Sequence, residues 1–219
     1  MLATLNGPLD GGGPKVSSRA HILMETSGDR LTTTEYGVLG LLAFGEGSGY
    51  DLSRAAARSI GYMWAPSRSQ IYKVLPRLVA VGCANSREVE QRGRPDKAIY
   101  RITPAGLAAL RLWVETVEEA SPGVFVMKLF FAWTASPEAA HEQLALYRSQ
   151  AERHLAEFEK MEQTLSSRDE PVHSRVALRH GILRARATVE WAKEAASLLE
   201  SGTERWSPPR LSGSRRSPR

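Results

Sequence analysis

Residues 66–110, PSRSQIYKVLPRLVAVGCANSREVEQRGRPDKAIYRITPAGLAAL, decide the fold, because the apolar period changes twice within them. Ile71, Val74, Leu75, Leu78 and Val79 recur at helical spacing. Ser67, preceded by Pro66 and followed three residues on by Gln70, is placed to cap that helix, and Gly82 stands where a left-handed residue would end it. Two runs, Ala84–Val89 and Lys97–Ile102, then read as strands, with Val89, Ile99 and Ile102 as inner-face candidates. Residues 90–96 between them form a polar turn that holds Arg92, Gly93 and Arg94. Thr103-Pro104 opens another helix, with proline in the first turn, running to about Glu119 through Leu107, Leu110, Trp113, Val114 and Val117. Pro76 breaks the rule for a helix interior and is expected to cost stability or bend the helix.

Upstream, Thr32 or Thr33 can cap a helix that carries Glu35 in its first turn and Tyr36, Leu39, Leu42 and Ala43 along it. Gly45, Gly47 and Gly49 stop it, and residues 50–59 form a short second helix with Leu52, Ala55 and Ala56 inward. Three helices, two strands joined by a basic loop, and a further helix are the order of a winged helix-turn-helix. Downstream, Leu144, Tyr147, Ala151, His154, Phe158, Met161 and Leu165 recur at steps of three and four, as do Leu178, Ile182, Ala185, Val189, Ala192, Ala196 and Leu199. Both are heptad seams. The last helix bears a second stripe, Leu183, Ala187, Trp191 and Leu198, so two of its faces need cover. The expected fold is mainly α with a small β-hairpin wing: an N-terminal winged helix-turn-helix followed by a C-terminal helical, coiled-coil-like dimerisation domain. The expected divisions are a disordered tail at 1–30 (with Met24 a second candidate start), the DNA-binding domain at 31–120, the helical domain at 121–201 and a disordered basic tail at 202–219. An intramolecular bundle is the alternative for the seams.

The charge distribution supports this reading. The 219 residues carry a formal +5, but residues 66–102 alone hold +5 and the last fifteen residues another +5, against −4 over residues 103–204. A basic patch confined to the helix and hairpin is the electrostatic footprint of nucleic-acid binding. The single cysteine, Cys83, excludes an intrachain disulfide and a cysteine-rich zinc site. The longest apolar run, residues 124–133, is ten residues interrupted by Lys128, too short for a membrane helix, and the N-terminus lacks a secretory pattern. A soluble cytoplasmic protein is expected.

These residues resemble the PadR-type transcriptional regulators. Ser67, Ile71, Tyr72, Leu75, Leu78 and Gly82 match the family's recognition-helix pattern, although many members have proline directly after the tyrosine, where this chain has Lys73. Gly93, Arg94, Pro95, Tyr100, Ile102, Thr103 and Gly106 match the wing, and the stretch from Leu41 to Leu52 fits the upstream motif. The resemblance covers residues 34–115 closely, and the length and composition of residues 123–200 are similar to the helical domain of the larger subfamily. It implies a homodimeric regulator with an effector pocket for an apolar or phenolic ligand, for which Trp64, Trp113, Phe125, Phe130, Phe131 and Trp133 are the candidates. Ordinary aromatic core is the competing reading of those rings.

The residues that would meet double-stranded DNA are Ser67, Arg68, Ser69 and Gln70 at the start of the recognition helix, then Tyr72, Lys73 and Arg77 along it. Arginine can pair bidentately with guanine and glutamine with adenine, whereas tyrosine, serine and lysine more often hold phosphates. Arg92, Arg94 and Lys97 of the wing suit a minor groove or flanking phosphates. For the dimer, the candidates are Leu144, Tyr147, Phe158, Met161, Leu165, Leu178, Ile182, Val189 and Leu199. A repressor on a palindromic operator is the function these features imply. A dimerising interaction module without DNA binding, or a MarR-like regulator, is the alternative.

Enzyme readings are weak. Glu138/His141 and Glu170/His173 have the spacing of a di-metal bundle, but Pro171 interrupts the second pair. Gly45-x-Gly47-x-Gly49 lacks the spacing of a dinucleotide loop, and Cys83 has no histidine near it in sequence. No catalytic residue, metal or cofactor is expected.

Overall fold

The computed structural model describes residues 30–61, 63–64, 66–90, 97–164 and 171–202. The expectations made for the two tails, and for Arg92, Arg94, Leu165 and Glu170, lie outside the described residues. In chain order the elements are α1 (Thr33–Ala43), α2 (Gly49–Arg58), α3 (Arg68–Ala80), β1 (Ala84–Val89), β2 (Lys97–Ile102), α4 (Pro104–Glu115), α5 (Pro122–Phe130), a 3-10 turn (Ala132–Thr134), α6 (Pro137–Thr164) and α7 (Val172–Ser201). This is the mainly helical fold with a small hairpin wing that the sequence implies.

The first three helices open with the same device. Thr32, Ser48 and Ser67 each accept a hydrogen bond from the backbone three residues on, and Glu35, Asp51 and Gln70 reach back to the cap's own N–H. Such a box satisfies two otherwise orphan donors and contributes about 1 kcal/mol per helix. Pro76 does not break α3, which runs through it. Both Pro76 and Tyr72, whose carbonyl loses its i+4 donor, lie on the exposed side, where water can serve that oxygen.

Gly82 ends α3 with φ +72°, and the N–H groups of Gly82 and Cys83 return to the carbonyls of Val79 (3.0 Å) and Leu78 (2.9 Å). That is a Schellman closure, and it turns the chain straight into the hairpin. β1 and β2 pair antiparallel from Ala84↔Ile102 to Val89↔Lys97. Gly47 and Tyr100 exchange two backbone hydrogen bonds of 2.9 and 3.0 Å, tying the α1–α2 loop to the wing. α4 ends at Glu115, short of the expected Glu119, because Thr116 turns extended.

The core forms around α1. Val38, Leu39, Leu41 and Leu42 are buried on every side of it, and a helix that is apolar all round has to be enclosed. Trp64 lies across Gly37, and Phe131, itself fully buried, lies across Gly40. A Cβ at Gly40 would collide with the Phe131 ring. One side of α1 is therefore closed by a residue that follows α5.

Beyond α5, α6 and α7 pack side by side along most of their length. The ion pairs Glu162–Arg179 and Glu159–Arg186, with Leu144 in one cluster with Ala192 and Ala195, make them antiparallel. Between α4 and α5 the chain is held by Lys128, which is 1% exposed. Its ammonium donates to the Thr116 carbonyl at 2.7 Å and to Glu118 Oε1 at 3.3 Å, and lies 5.5 Å from the centre of the Trp113 ring. Trp113 in turn stacks on Tyr36 of α1 at 4.7 Å. Among the described residues no helix is long and apolar enough to cross a membrane.

Gly40→Ala is expected to lower stability by about 1–3 kcal/mol, the usual cost of overpacking a filled core. Adding Phe131→Leu should recover much of that loss in a thermal melt. Losses that simply add would show that the two positions do not compete for space.

Candidate nucleic-acid interface

α3 presents two different faces. Ile71, Leu75 and Leu78 are fully buried, while Ser67, Arg68, Ser69, Gln70, Tyr72 and Lys73 are exposed. The helical period alone produces this division, since residues three and four apart share a side. The first turn is held in place by its own cap: the Ser67 N–H donates to Gln70 Oε1 at 2.8 Å, and the Gln70 N–H donates to Ser67 Oγ at 3.2 Å. The Gln70 side-chain oxygen is therefore already engaged by the cap, with a second lone pair and the NH2 group left for other partners. A bidentate pairing with adenine would have to share that oxygen with the cap. The Tyr72 ring rests on Gly49 of α2, where a Cβ would come within 2.9 Å of it.

Arg77 stands apart from the other basic residues of α3. Its guanidinium lies 2.9 Å from Glu35 Oε1, a carboxylate only 2% exposed. Glu35 also receives the Thr32 N–H, so one buried acid holds the start of α1 and the end of α3 together. In the wing, Lys97 is half-buried and Arg87 is paired with Glu46 at 2.6 Å, whereas Arg101 is exposed. A shallow groove of about 420 Å3 runs along the wing base, lined by Asn85, Arg101, Ile102, Thr103, Pro104 and Leu107. Tyr50 and Arg54 of α2 were not singled out from the sequence, yet both share the exposed face with Arg68. Their only sequence signal is an aromatic–arginine pair four residues apart on a short helix.

The expected effector rings fall into separate groups. Phe130, Phe131 and Trp133 gather around Phe44, with centroid separations of 5.9, 6.0 and 5.4 Å. Trp113 is stacked on Tyr36, and Trp64 lies on Gly37. Phe125 stacks on Tyr147 at 3.9 Å, with Trp191 edge-on to both. Burial raises the Tyr147 phenol above its ordinary value, an effect partly offset by the Arg184 charge.

The heptad seams meet each other. Leu144, Tyr147, Ala192, Ala195, Ala196 and Leu199 share one cluster with Phe125, Ile182 and Val189 are buried, and Phe158 lies against Gly181. Leu178 is half-buried and Met161 is exposed. Where a second copy was expected to cover these seams, the α6–α7 hairpin covers most of them itself. A heptad pattern says that a stripe is covered, not by which chain. The second stripe, by contrast, is open: Leu183, Ala187, Trp191 and Leu198 are all exposed, and Val172 and Val176, not singled out from the sequence, extend the bare apolar surface toward the start of α7.

No group of three or more potential metal ligands occurs among the described residues. Cys83 is buried, and burial, then the Glu35 charge, raise its thiol above the ordinary value, the opposite of an activated nucleophile.

Arg77→Ala is expected to cost about 1–3 kcal/mol, because it strips a buried carboxylate of its cation. Lys73→Ala should stay within about 0.5 kcal/mol of the parent, as exposed substitutions do. Denaturant melts of the two variants give the comparison, and equal stabilities would remove the structural role of Arg77.

The family model described as Transcriptional regulator PadR-like family matches residues 38–112, and that described as Virulence activator alpha C-term matches residues 124–200. A probable transcriptional regulator of Mycobacterium tuberculosis is 29% identical over 170 residues, covering 70% of this chain and 90% of that protein. The negative transcriptional regulator PadR of Bacillus subtilis is 28% identical over 178 residues, covering 78% of this chain and 96% of that one. Among solved structures, Bacillus subtilis PadR in complex with operator DNA is 24% identical, covers 77% of this chain and 99% of that one, and has a TM-score of 0.38. The same regulator in complex with p-coumaric acid is 23% identical, covers 78% of this chain and 100% of that one, and has a TM-score of 0.35. The two models divide the chain where the winged helix-turn-helix gives way to the long helices: residues 38–112 form a PadR-like transcriptional-regulator domain, and residues 124–200 match the helical C-terminal domain of the larger subfamily.

Proposed function

We propose that the chain is a homodimeric repressor that docks α3 in the major groove of a palindromic operator and is released by a small apolar or phenolic effector. The observation that carries this reading is the first turn of α3, capped and exposed, with Arg68, Ser69, Gln70 and Lys73 projecting from a buried apolar stripe. Arg92, Arg94 and Lys97 of the wing supply the second contact, to the minor groove or flanking phosphates. Repression is supported by the relative in Bacillus subtilis, which is a negative regulator.

Dimerisation is supported by the open stripe of α7, Val172, Val176, Leu183, Trp191 and Leu198, and by the exposure of Met161 on α6. A run of large apolar side chains on one helix face is the signature of a partner surface. A two-fold dimer presents two equal recognition helices, which is why the operator is palindromic. The effector reading is supported by the rings around Phe44, which lie where α1 meets the segment after α5. A ligand entering there would displace Phe130 or Trp133 and so move the helical domain against the DNA-binding one.

Gel shifts against the promoter of the chain's own operon, together with light scattering, test the reading. Arg94→Ala should weaken binding to all sequences and lower the salt slope by about one unit, whereas Gln70→Ala should relax sequence choice. Leu183→Glu with Leu198→Glu should yield a folded monomer with much weaker operator binding. A parent protein that runs as a monomer, or binds operator and scrambled duplex equally, would overturn the reading.

A further inference from the structure

Tyr50 lies in the first turn of α2 with its ring 46% exposed, and two arginines from different helices converge on it. The guanidinium carbon of Arg54, one turn along α2, is 5.8 Å from the ring centre, and that of Arg68, the first residue of α3, is 5.3 Å from it. Neither guanidinium has an ion-pair partner among the described residues. The carboxylate in that turn, Asp51, accepts from the Ser48 N–H at 3.1 Å and the Ser48 hydroxyl at 2.6 Å, so it serves as a cap and not as a counter-ion. Two like charges drawn to one exposed ring repel each other, and an anion placed between them relieves that repulsion. The ring holds both planar forks in position without neutralising them, so less side-chain freedom is lost when they close on an anion.

We propose that Tyr50, Arg54 and Arg68 form a clamp for one backbone phosphate of the DNA, with Tyr50 as the positioning residue. The clamp rests on the reading that α3 docks on DNA, and it assigns Arg68 to the phosphate rather than to a base edge. Base choice is then left to Ser69, Gln70 and Lys73. The arrangement sets the register of α3 in the groove by fixing α2 and α3 to the same phosphate from two directions. Phosphodiester is the ligand chemistry: a tetrahedral anion offers oxygens to two guanidinium forks and to a phenol at once.

Fluorescence anisotropy with operator duplex and with a scrambled duplex, each over a series of salt concentrations, tests the clamp in the full-length chain. Arg54→Ala and Arg68→Ala should each weaken binding to both duplexes by a similar factor, lower the log–log salt slope by about one unit, and leave the operator preference unchanged. Tyr50→Ala should weaken both duplexes severalfold, and combined with Arg68→Ala it should add little, because both remove the same contact. Tyr50→Phe keeps the ring and should retain the parent salt slope. An Arg54→Ala variant with parental affinity and slope overturns the clamp, as does an Arg68→Ala variant that loses operator preference while keeping its slope. A parent protein that binds no duplex would overturn the docking of α3 itself, and the clamp with it. Thermal melts of the same variants should match the parent, since all three side chains lie on the surface.

Discussion

A helix apolar on every side cannot be left at a surface, and the rest of this molecule is arranged around that requirement in α1. Leu39, Leu41 and Leu42 look outward in different directions, and each direction needs a different neighbour. Trp64 supplies one from the loop before α3, and Tyr36 brings in Trp113 of α4. Phe131 supplies another, and it arrives only after the chain has completed the hairpin, α4 and α5. The two glycines of α1 make this possible, since Gly37 and Gly40 are the points where large rings approach the backbone itself. The DNA-binding part thus borrows part of its core from the segment that leads into the long helices.

Much of the fold was legible because its punctuation is local. The strands run over the residues read from the period change, bracketed by a Schellman glycine on one side and by Thr103-Pro104 on the other. The caps at Thr32 and Ser67 are visible as residue types at fixed offsets. The end of α4 was not legible, because Val117 continues the apolar spacing. What stops the helix lies well beyond it: the Thr116 carbonyl is taken by the ammonium of Lys128. Long-range polar contacts of this kind leave no periodic trace.

The site divides in the same way. The exposed side of α3 follows from helical geometry once the apolar stripe is found. Charge, however, does not reveal its partner. Arg68 and Arg77 look alike in the sequence, yet one is held against an exposed tyrosine and the other against a buried glutamate. The heptad seams carry the same ambiguity, since the stripe that must be covered can be covered from within. Here Leu144 and Ala195 satisfy each other, while the stripe from Val172 to Leu198, less regular in its spacing, is the one left bare.

Lys128 has a bearing on how the two parts of the chain could have evolved. Its ammonium is coordinated by the connection between α4 and α5 and by the ring of Trp113, which itself leans on α1. A buried charge tolerates few arrangements, so this connection is not an ordinary loop that can gain or lose residues freely. The helical part is therefore not a module to be exchanged at will. A chimera joining this DNA-binding part to another helical domain would have to carry over Tyr36, Trp113, Lys128 and the spacing of residues 116–121 as one inherited unit.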